Sequence, residues 1–345
     1  MASDSPGPPN AYDDVVSAIG NTPLIRLNRL TEELQTSSVW AKLERCNPGG
    51  SIKDRIGLQM VLDAEAKGLL KSGGVIVEAT SGNTGIGLAI VAAQRGYRCI
   101  FTIPDKMSDE KITLLRAMGA EVHVCPSAVE KEDPRSYYEV AARLAREIPG
   151  AWYPDQYSHQ ANPLAHLLST GPEIWEQTGG RLTHFVATMG TGGTITGTAR
   201  ALRDLAESNG RNPPMIVGVD AAGSILKQWF EEGTVGAAHT YEVEGFGEDF
   251  IPMATDFSLI DEIHQVDDGT CFRWARALAK REGMFCGGSC GGAIKVALDI
   301  AERADAAGEA AMIVVILPDG GNPYLSKFYD DEWLLENGWD PKDWE

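Results

Sequence analysis

The chain alternates short apolar, β-branched runs with segments of helical periodicity along most of its 345 residues. Strands are predicted at 75–78, 99–103, 121–125 and 151–153, then at 184–188, 215–219 and 312–317. Helices are predicted at 86–95, 109–118 and 137–148, then at 194–207, 271–282 and 293–306. Apolar strands that alternate with helices are typical of parallel sheets covered by helices on both faces.

The alternation forms two series, which predicts an α/β fold of two lobes. Each lobe is expected to contain a mostly parallel twisted sheet flanked by helices, and a chain of this length can support both. In such folds ligands bind where the carboxyl ends of the strands meet the starts of the helices. We therefore expect the functional site in the cleft between the lobes.

Charge and hydropathy exclude several kinds of partner. The formal net charge is −19, which disfavours binding to nucleic acid phosphates and to anionic membrane surfaces. No apolar run is long enough to cross a bilayer. The first ten residues are polar and proline-rich and lack the features of a signal peptide, so we expect a cytoplasmic protein that acts on small molecules.

Six cysteines are scattered along the chain, which is typical of reduced thiols rather than of a disulfide framework. Cys286 and Cys290 lie four residues apart and leave a metal or redox site as an alternative. That segment has no CxxC motif and no neighbouring histidine, so we expect no metal.

Lys53 lies in the segment Pro48-Gly-Gly-Ser-Ile-Lys-Asp-Arg55. Ser51 and Asp54 have the spacing of a capping box, which predicts that a helix begins here and ends near Gly68. A lysine at a helix start faces the positive end of the dipole, which lowers its pKa and favours a reactive amine. The alternative is an ordinary solvated lysine.

Two glycine-rich turns follow, and each precedes a predicted helix. The first is Thr80-Ser-Gly-Asn-Thr-Gly85, which can bind a carboxylate, although an ordinary turn capped by hydroxyl groups has the same composition. The second is Gly190-Thr191-Gly192-Gly193-Thr194, which can hold a phosphate on backbone amides. Ile195 occupies the third glycine position of a dinucleotide fingerprint, so a monophosphate fits better. With Lys53, the two turns predict a pyridoxal 5′-phosphate site.

A third small-residue turn, Gly287-Gly288-Ser289, follows a predicted helix. Together, the three segments resemble the cysteine synthase and cystathionine β-synthase family of fold type II pyridoxal enzymes, whose fold is like that of the tryptophan synthase β-subunit. The resemblance runs from about residue 21 to residue 339. It implies that Lys53 forms the Schiff base and that the 190–194 turn binds the phosphate.

The resemblance also implies roles for individual side chains. Asn83 is expected to bind the 3′ oxygen of the cofactor and Ser289 the pyridine nitrogen. The substrate carboxylate is expected to contact Thr80, Ser81, Thr84 and Gln156. A smaller N-terminal lobe is expected to comprise residues 1–20 plus 45–155, and a larger cofactor-binding lobe residues 21–44 plus 156–345.

Two segments resemble the catalytic core of cystathionine β-synthase in particular. One is the loop at 241–252, in which Gly245 and Gly247 are expected to contact substrate. The other is the final strand and tail, residues 315–333. Glu248 departs from the tyrosine of the animal and yeast enzymes, which puts the specificity for the second substrate in doubt.

The predicted reaction is β-replacement on L-serine or an activated serine, with homocysteine as the thiol and cystathionine as the product. The first alternative is a cysteine synthase that uses O-acetylserine or O-phosphoserine and sulfide. A second alternative, from another class, is a catalytically silent homologue that acts as an assembly partner. A homodimer is expected from the resemblance.

Overall fold

The computed structural model describes residues 11–344, so the predicted tail at 1–10 lies outside the described residues. Two sheets form the framework. The six-stranded sheet contains β1 (Leu24–Arg26), β2 (Ser38–Leu43), β7 (His184–Thr188), β8 (Met215–Ala221), β9 (Glu262–Val266) and β10 (Met312–Leu317). The four-stranded sheet contains β3 (Val75–Ala79), β4 (Arg98–Pro104), β5 (Glu121–Cys125) and β6 (Ala151–Trp152).

Parallel pairing dominates both sheets. The strand order is β1-β2-β10-β7-β8-β9 in the larger sheet and β5-β4-β3-β6 in the smaller. Only β1 is antiparallel, and its hairpin partner β2 pairs in parallel with β10. The early hairpin therefore lies in the sheet formed by the C-terminal half, whereas the lobe boundaries stay a prediction.

Helices cover the sheets. They are α1 (Lys53–Ala66), α2 (Asn83–Arg95), α3 (Asp109–Ala117), α4 (Tyr137–Glu147), α5 (Ala161–Ala165), α6 (Gly171–Thr178), α7 (Gly193–Ser208), α8 (Leu226–Glu232), α9 (Asp268–Ala277), α10 (Gly288–Ala306) and α11 (Asp331–Glu336). Short π-helical segments, His166–Thr170 and Leu278–Glu282, precede α6 and follow α9. Within residues 11–344 no helix is both long enough and apolar enough to cross a membrane.

The predicted α/β class is confirmed, and each predicted strand is present within a few residues of its expected position. The prediction missed β9, whose sequence Glu-Ile-His-Gln-Val is half polar. The predicted start of the last long helix, residue 293, is also five residues later than the observed start of α10 at Gly288. Glycines are poor helix formers in isolation, and here packing against α9 overrides that preference.

Two glycines allow α1 and α2 to pack backbone against backbone. A Cβ atom on Gly57 would lie 2.6 Å from the carbonyl carbon of Gly87. A Cβ atom on Gly87 would lie 2.6 Å from the carbonyl oxygen of Lys53. The contact fixes the start of α1 against the first turn of α2, so the segments that contain Lys53 and Asn83 are held side by side.

A buried ionic cluster ties α1 to the six-stranded sheet. Arg55 donates to Glu44, just after β2, and to Glu173 in α6, at 2.8 and 2.6 Å. Lys42 of β2 donates to Glu173 at 2.7 Å. Arg55 and Lys42 are nearly inaccessible, and the paired cations hold the pKa of Glu173 down at about 2 although burial opposes that shift.

The C-terminal tryptophans anchor the end of the chain within the same molecule. Trp333 and Trp339 are stacked with ring centroids 5.9 Å apart, and both rings meet the edge or face of Phe272 in α9. These contacts attach the C-terminal segment to α9.

Replacing Arg55 with Leu should lower the free energy of unfolding by about 3–5 kcal/mol, because Glu44 and Glu173 would lose their main cationic partner in a buried site. Arg95→Leu is the matched control, since Arg95 pairs with Glu65 at the surface, where an ion pair contributes about 1 kcal/mol or less. Urea unfolding followed by circular dichroism measures both. Equal losses in the two variants would contradict the role given to the buried cluster.

Candidate active site

A cavity of about 800 Å³ opens at the carboxyl ends of strands from both sheets. Pro104 of β4, Thr188 of β7 and Ile316 of β10 line it. The wall includes most of the predicted site residues: Lys53, Ser81, Asn83, Gln156, Gly190, Thr191, Gly192, Thr194, Gly245, Gly247 and Ser289. Segments far apart in the sequence therefore meet at the carboxyl ends of the parallel strands, where this class of fold predicts a ligand site.

Lys53 is the first residue of α1, as predicted, and its side chain faces the cavity. Burial lowers the pKa of Lys53 from 10.5 to about 8, whereas the nearby Glu248 and Asp319 act in the opposite direction. Burial, rather than the helix dipole on which the sequence argument relied, is thus the principal cause. The amine is poised to lose its proton near neutral pH.

The predicted capping box is wrong in one half. The Ser51 hydroxyl accepts from the backbone N–H of Lys53 at 3.2 Å, but Asp54 does not reach back to Ser51. Its carboxylate accepts from the backbone N–H of Gly49 at 2.5 Å instead. Asp54 therefore fixes the loop before the helix.

Two threonine hydroxyl groups of the turn at 80–85 form hydrogen bonds within the protein. Thr80 Oγ1 accepts from the backbone N–H groups of Gly82 and Gly85 at 3.0 and 3.2 Å. Thr84 Oγ1 donates to Gln156 Oε1 at 2.6 Å. Ser81 and Asn83 are left on the cavity wall, while Thr80 and Thr84 hold the turn and orient Gln156. Direct contact of Thr80 and Thr84 with a substrate stays a prediction.

Glu78 supports Gln156 from behind, and sequence analysis missed it. The buried Glu78 carboxylate accepts from the backbone N–H groups of Asp155 and Gln156 at 2.9 and 3.1 Å. Asp155 adopts a positive φ of 51°, a strained conformation for this residue. Burial raises the pKa of Glu78 to about 8. The single acidic residue in the otherwise apolar β3 was the available signal.

The turn at 190–194 exposes backbone donors to the cavity. In the described part of the chain, no protein acceptor takes a hydrogen bond from the N–H groups of residues 190–195. Four of these residues begin α7 or directly precede it, where N–H groups lack intrahelical partners. The turn has the unsatisfied donors that a phosphate monoester requires.

Three glycines of this turn are needed because neighbouring atoms leave no room for a side chain. A Cβ atom would lie 3.0 Å from the Gly245 carbonyl oxygen at Gly190, 1.7 Å from Thr255 Oγ1 at Gly192 and 1.9 Å from Asn162 Oδ1 at Gly193. Gly192 also has a φ of 77°. Gly193 packs behind the wall rather than on it, so its predicted contribution to a phosphate site is confined to its backbone.

Side chains behind the turn set the direction of its hydroxyl groups. Asn162 Nδ2 donates to Thr191 Oγ1 at 2.9 Å, which leaves the Thr191 proton free to point into the cavity. Thr194 Oγ1 lies 3.2 Å from Nε2 of buried His166, whose pKa burial lowers well below its ordinary value. His166 is therefore neutral. Thr191 can donate to an anion, and Thr194 can do so in the tautomer in which His166 Nε2 carries the proton.

Ser289 lies in the first turn of α10 rather than in a free turn before it, and it faces the cavity. Asp319, another residue missed from the sequence, lies nearby. Its buried carboxylate accepts from Asn83 Nδ2 at 2.9 Å and from the Tyr324 hydroxyl at 2.7 Å. Asp319 thereby fixes the Asn83 amide at the cavity wall.

The cysteines are not part of the cavity wall. All six lie within the described residues and are free thiols. Burial raises the pKa of Cys290 well above its ordinary value, and its Sγ lies 3.6 Å from the Asp319 carbonyl oxygen. A buried thiol of this kind packs against the site as an inert group.

Comparisons with known proteins agree with this geometry. Residues 15–319 match the family model described as "Pyridoxal-phosphate dependent enzyme". Cystathionine β-synthase of Rattus norvegicus is 45% identical over 331 residues, which cover 96% of this chain and 57% of the rat enzyme. Cysteine synthase B of Escherichia coli is 42% identical over 309 residues, which cover 89% of this chain and 93% of that enzyme.

The solved structure of an O-acetylserine dependent cystathionine β-synthase from Helicobacter pylori superimposes with a TM-score of 0.82 at 36% identity, covering 92% of this chain and 98% of that one. The chain belongs to the family of pyridoxal-phosphate dependent enzymes that includes the cystathionine β-synthases and cysteine synthases. Its cofactor is pyridoxal phosphate, which the donors at 190–195 and the amine of Lys53 fit.

The rate at which cofactor-free protein recombines with pyridoxal phosphate should rise with pH and level off above about 8. Lys53 must be unprotonated to attack an aldehyde, and its lowered pKa places that proton loss near 8. Absorbance of the bound cofactor measures the rate, and Lys53→Ala is the control that lacks the amine. A midpoint near 10.5, the ordinary lysine value, would contradict the assignment.

Proposed function

We propose that the protein catalyses β-replacement on L-serine or an activated serine, with homocysteine as the thiol and cystathionine as the product. The observation that carries the proposal is the cavity, in which a lysine with a lowered pKa faces an anion-binding helix start. Its volume of about 800 Å³ is within the range of small-molecule sites and leaves space beyond a cofactor for two amino acids.

Different residues of the chain would hold the cofactor, bind the first substrate and transfer protons. The amides and hydroxyls of the 190–194 turn hold the phosphate, Asn83 and Ser289 contact the ring, and Ser81 and Gln156 bind the carboxylate of the first substrate. Pyridoxal phosphate, when bound, supplies an aldehyde for amines and an electron sink for bond cleavage at the α-carbon. Lys53 would remove the α-proton, the β-oxygen substituent of the first substrate would leave with the proton of the thiol (as water from serine), and the thiol sulfur would bond to the β-carbon. Lys53 would then return the α-proton, so one amine serves both proton transfers at the α-carbon.

The loop at 241–252 would close the cavity over the second substrate. Gly245 and Gly247 adopt φ values of 94° and 80°, which require glycine for an unstrained turn. The backbone N–H of Gly247 donates to the carbonyl oxygen of Met189 at 2.7 Å, so the loop is attached directly beside the phosphate-binding turn. Closure by this loop excludes water from the reacting groups.

Cysteine synthase activity is the second candidate. It is supported by the match to cysteine synthase B, which extends over 93% of that enzyme, whereas the chain spans 57% of the rat cystathionine β-synthase. Sulfide would use the same Lys53 chemistry and would need little of the outer cavity. A homodimer located in the cytoplasm stays part of the prediction.

A competition experiment tests the choice of thiol. Serine is supplied as first substrate with equal low concentrations of homocysteine and sulfide, and both products are quantified by mass spectrometry. Cystathionine should predominate, because the larger thiol gains binding energy from a closed cavity. Predominant cysteine would assign the protein to the cysteine synthase branch, whereas cystathionine formed only from O-acetylserine or O-phosphoserine would identify the first substrate as an activated serine.

A further inference from the structure

Apart from Lys53, two half-buried charged side chains on the cavity wall have no ionic partner within residues 11–344, whereas the other unpaired charges on the wall are exposed or, for Asp319, hydrogen-bonded to Asn83 and Tyr324. Glu248 and Lys131 both line the cavity and are half-buried. Neither takes part in an ion pair within residues 11–344. By contrast, Glu244 on the same wall is neutralised by Lys111 and Lys327 at 2.5 and 2.6 Å. Glu248 and Lys131 are therefore a half-buried carboxyl group and a half-buried ammonium group, additional to Lys53, that a ligand in the cleft can reach.

The backbone of Glu248 is held firmly, so its side chain is directed by structure. The Ser224 hydroxyl accepts from the Glu248 N–H at 3.0 Å, and the Glu248 carbonyl accepts from the Ile225 N–H at 3.1 Å. Burial raises the pKa of Glu248 to about 8, with the neighbouring Asp249 adding to the shift and Lys131, Lys53 and the Tyr157 hydroxyl opposing it. A carboxylate whose charge is poorly compensated gains strongly from a cationic ligand.

The ammonium group of Lys131 lies over a cluster of aromatic rings. Its Nζ is 3.4 Å from the centroid of Phe250 and 5.2 Å from that of Tyr138. Tyr157 packs against both rings, at 5.1 and 5.8 Å between centroids, and its hydroxyl lies beside Glu248. The aromatic cluster thus joins the two unpaired charges into one continuous surface.

We propose that Glu248 and Lys131 bind the α-amino and α-carboxylate groups of the second substrate, which is therefore a zwitterionic amino-acid thiol. This inference rests on the proposed β-replacement. A zwitterion supplies both missing partners at once, and each charge-assisted hydrogen bond inside a cleft is stronger than a neutral one. Sulfide carries neither group and gains nothing from this surface.

Four thiols separate the two contacts, with serine as first substrate. L-Homocysteine has both charged groups, 3-mercaptopropylamine only the amine, 4-mercaptobutyrate only the carboxylate, and sulfide neither. In the wild-type protein, kcat/KM should be highest for homocysteine. Glu248→Gln should lower kcat/KM for homocysteine and 3-mercaptopropylamine about 10- to 100-fold relative to 4-mercaptobutyrate and sulfide. Any effect of the variant through Lys53 is common to all four thiols and cancels in this ratio.

Lys131→Met should give the complementary pattern, with losses confined to homocysteine and 4-mercaptobutyrate. Glu132→Gln is the control, because this exposed neighbour lies outside the cavity wall; it alters the same loop as Lys131→Met and, like Glu248→Gln, removes one negative charge. Losses of equal size for all four thiols, or a wild-type preference for sulfide, would overturn the inference.

Binding measured without turnover gives a readout independent of the reaction. L-Norvaline, which has a methyl group in place of the homocysteine thiol, should inhibit competitively against homocysteine and bind in isothermal titration calorimetry with serine present. Pentanoate and butylamine should bind at least about tenfold more weakly, because each lacks one charged group. Equal binding of the three probes would refute the site even if no variant folds.

These experiments distinguish failure of the zwitterion site from failure of the proposed β-replacement. Product formation from serine with sulfide but without discrimination among the organic thiols would leave β-replacement intact and overturn the zwitterion site. The absence of product with all four thiols, from serine and from O-acetylserine and O-phosphoserine alike, would overturn both.

Discussion

The ion pairs of Arg55 with Glu44 and Glu173 are the constraint on which the rest of the site depends. They connect the first turn of α1 to the end of β2 and to α6, and thus link a helix that packs with the small sheet to the framework of the large sheet. Because buried charges lose hydration, such a cluster contributes more to a unique geometry than to stability. The geometry that it specifies is the position of Lys53, two residues before Arg55.

The tight contact between α1 and α2 completes that positioning. Gly57 and Gly87 let the two backbones touch, so Asn83 and Lys53 open into one cavity. The side chains around them are held in turn by buried polar groups, with Asp319 on Asn83, Glu78 on the turn before Gln156 and Asn162 on Thr191. Each group that faces the cavity therefore has a partner behind it, which limits its freedom to move away from a ligand.

The groups around the cavity do not have the strongly negative character of the chain as a whole. The free donors at 190–195 are neutral backbone amides and hydroxyls, which fit a phosphorylated cofactor although the formal net charge of the chain is −19. One buried carboxylate on the cavity wall, Glu244, is compensated by Lys111 and Lys327. Glu248 and Lys131 are half-buried and have no such partner within residues 11–344, which is why we propose them as contacts of the second substrate.

The sequence by itself determined the α/β class, the position of Lys53 at a helix start and the two glycine-rich turns, because local periodicity and turn chemistry depend on near neighbours along the chain. It did not predict Glu78, Asp319 or Asn162, whose partners are 77, 236 and 29 residues away. Nor did it identify burial as the cause of the lowered pKa of Lys53, since burial is a property of the assembled cleft. Only the tertiary structure decided which polar groups are satisfied by the protein and which remain free for a ligand, because hydrogen bonds and desolvation require groups from distant segments to share one volume.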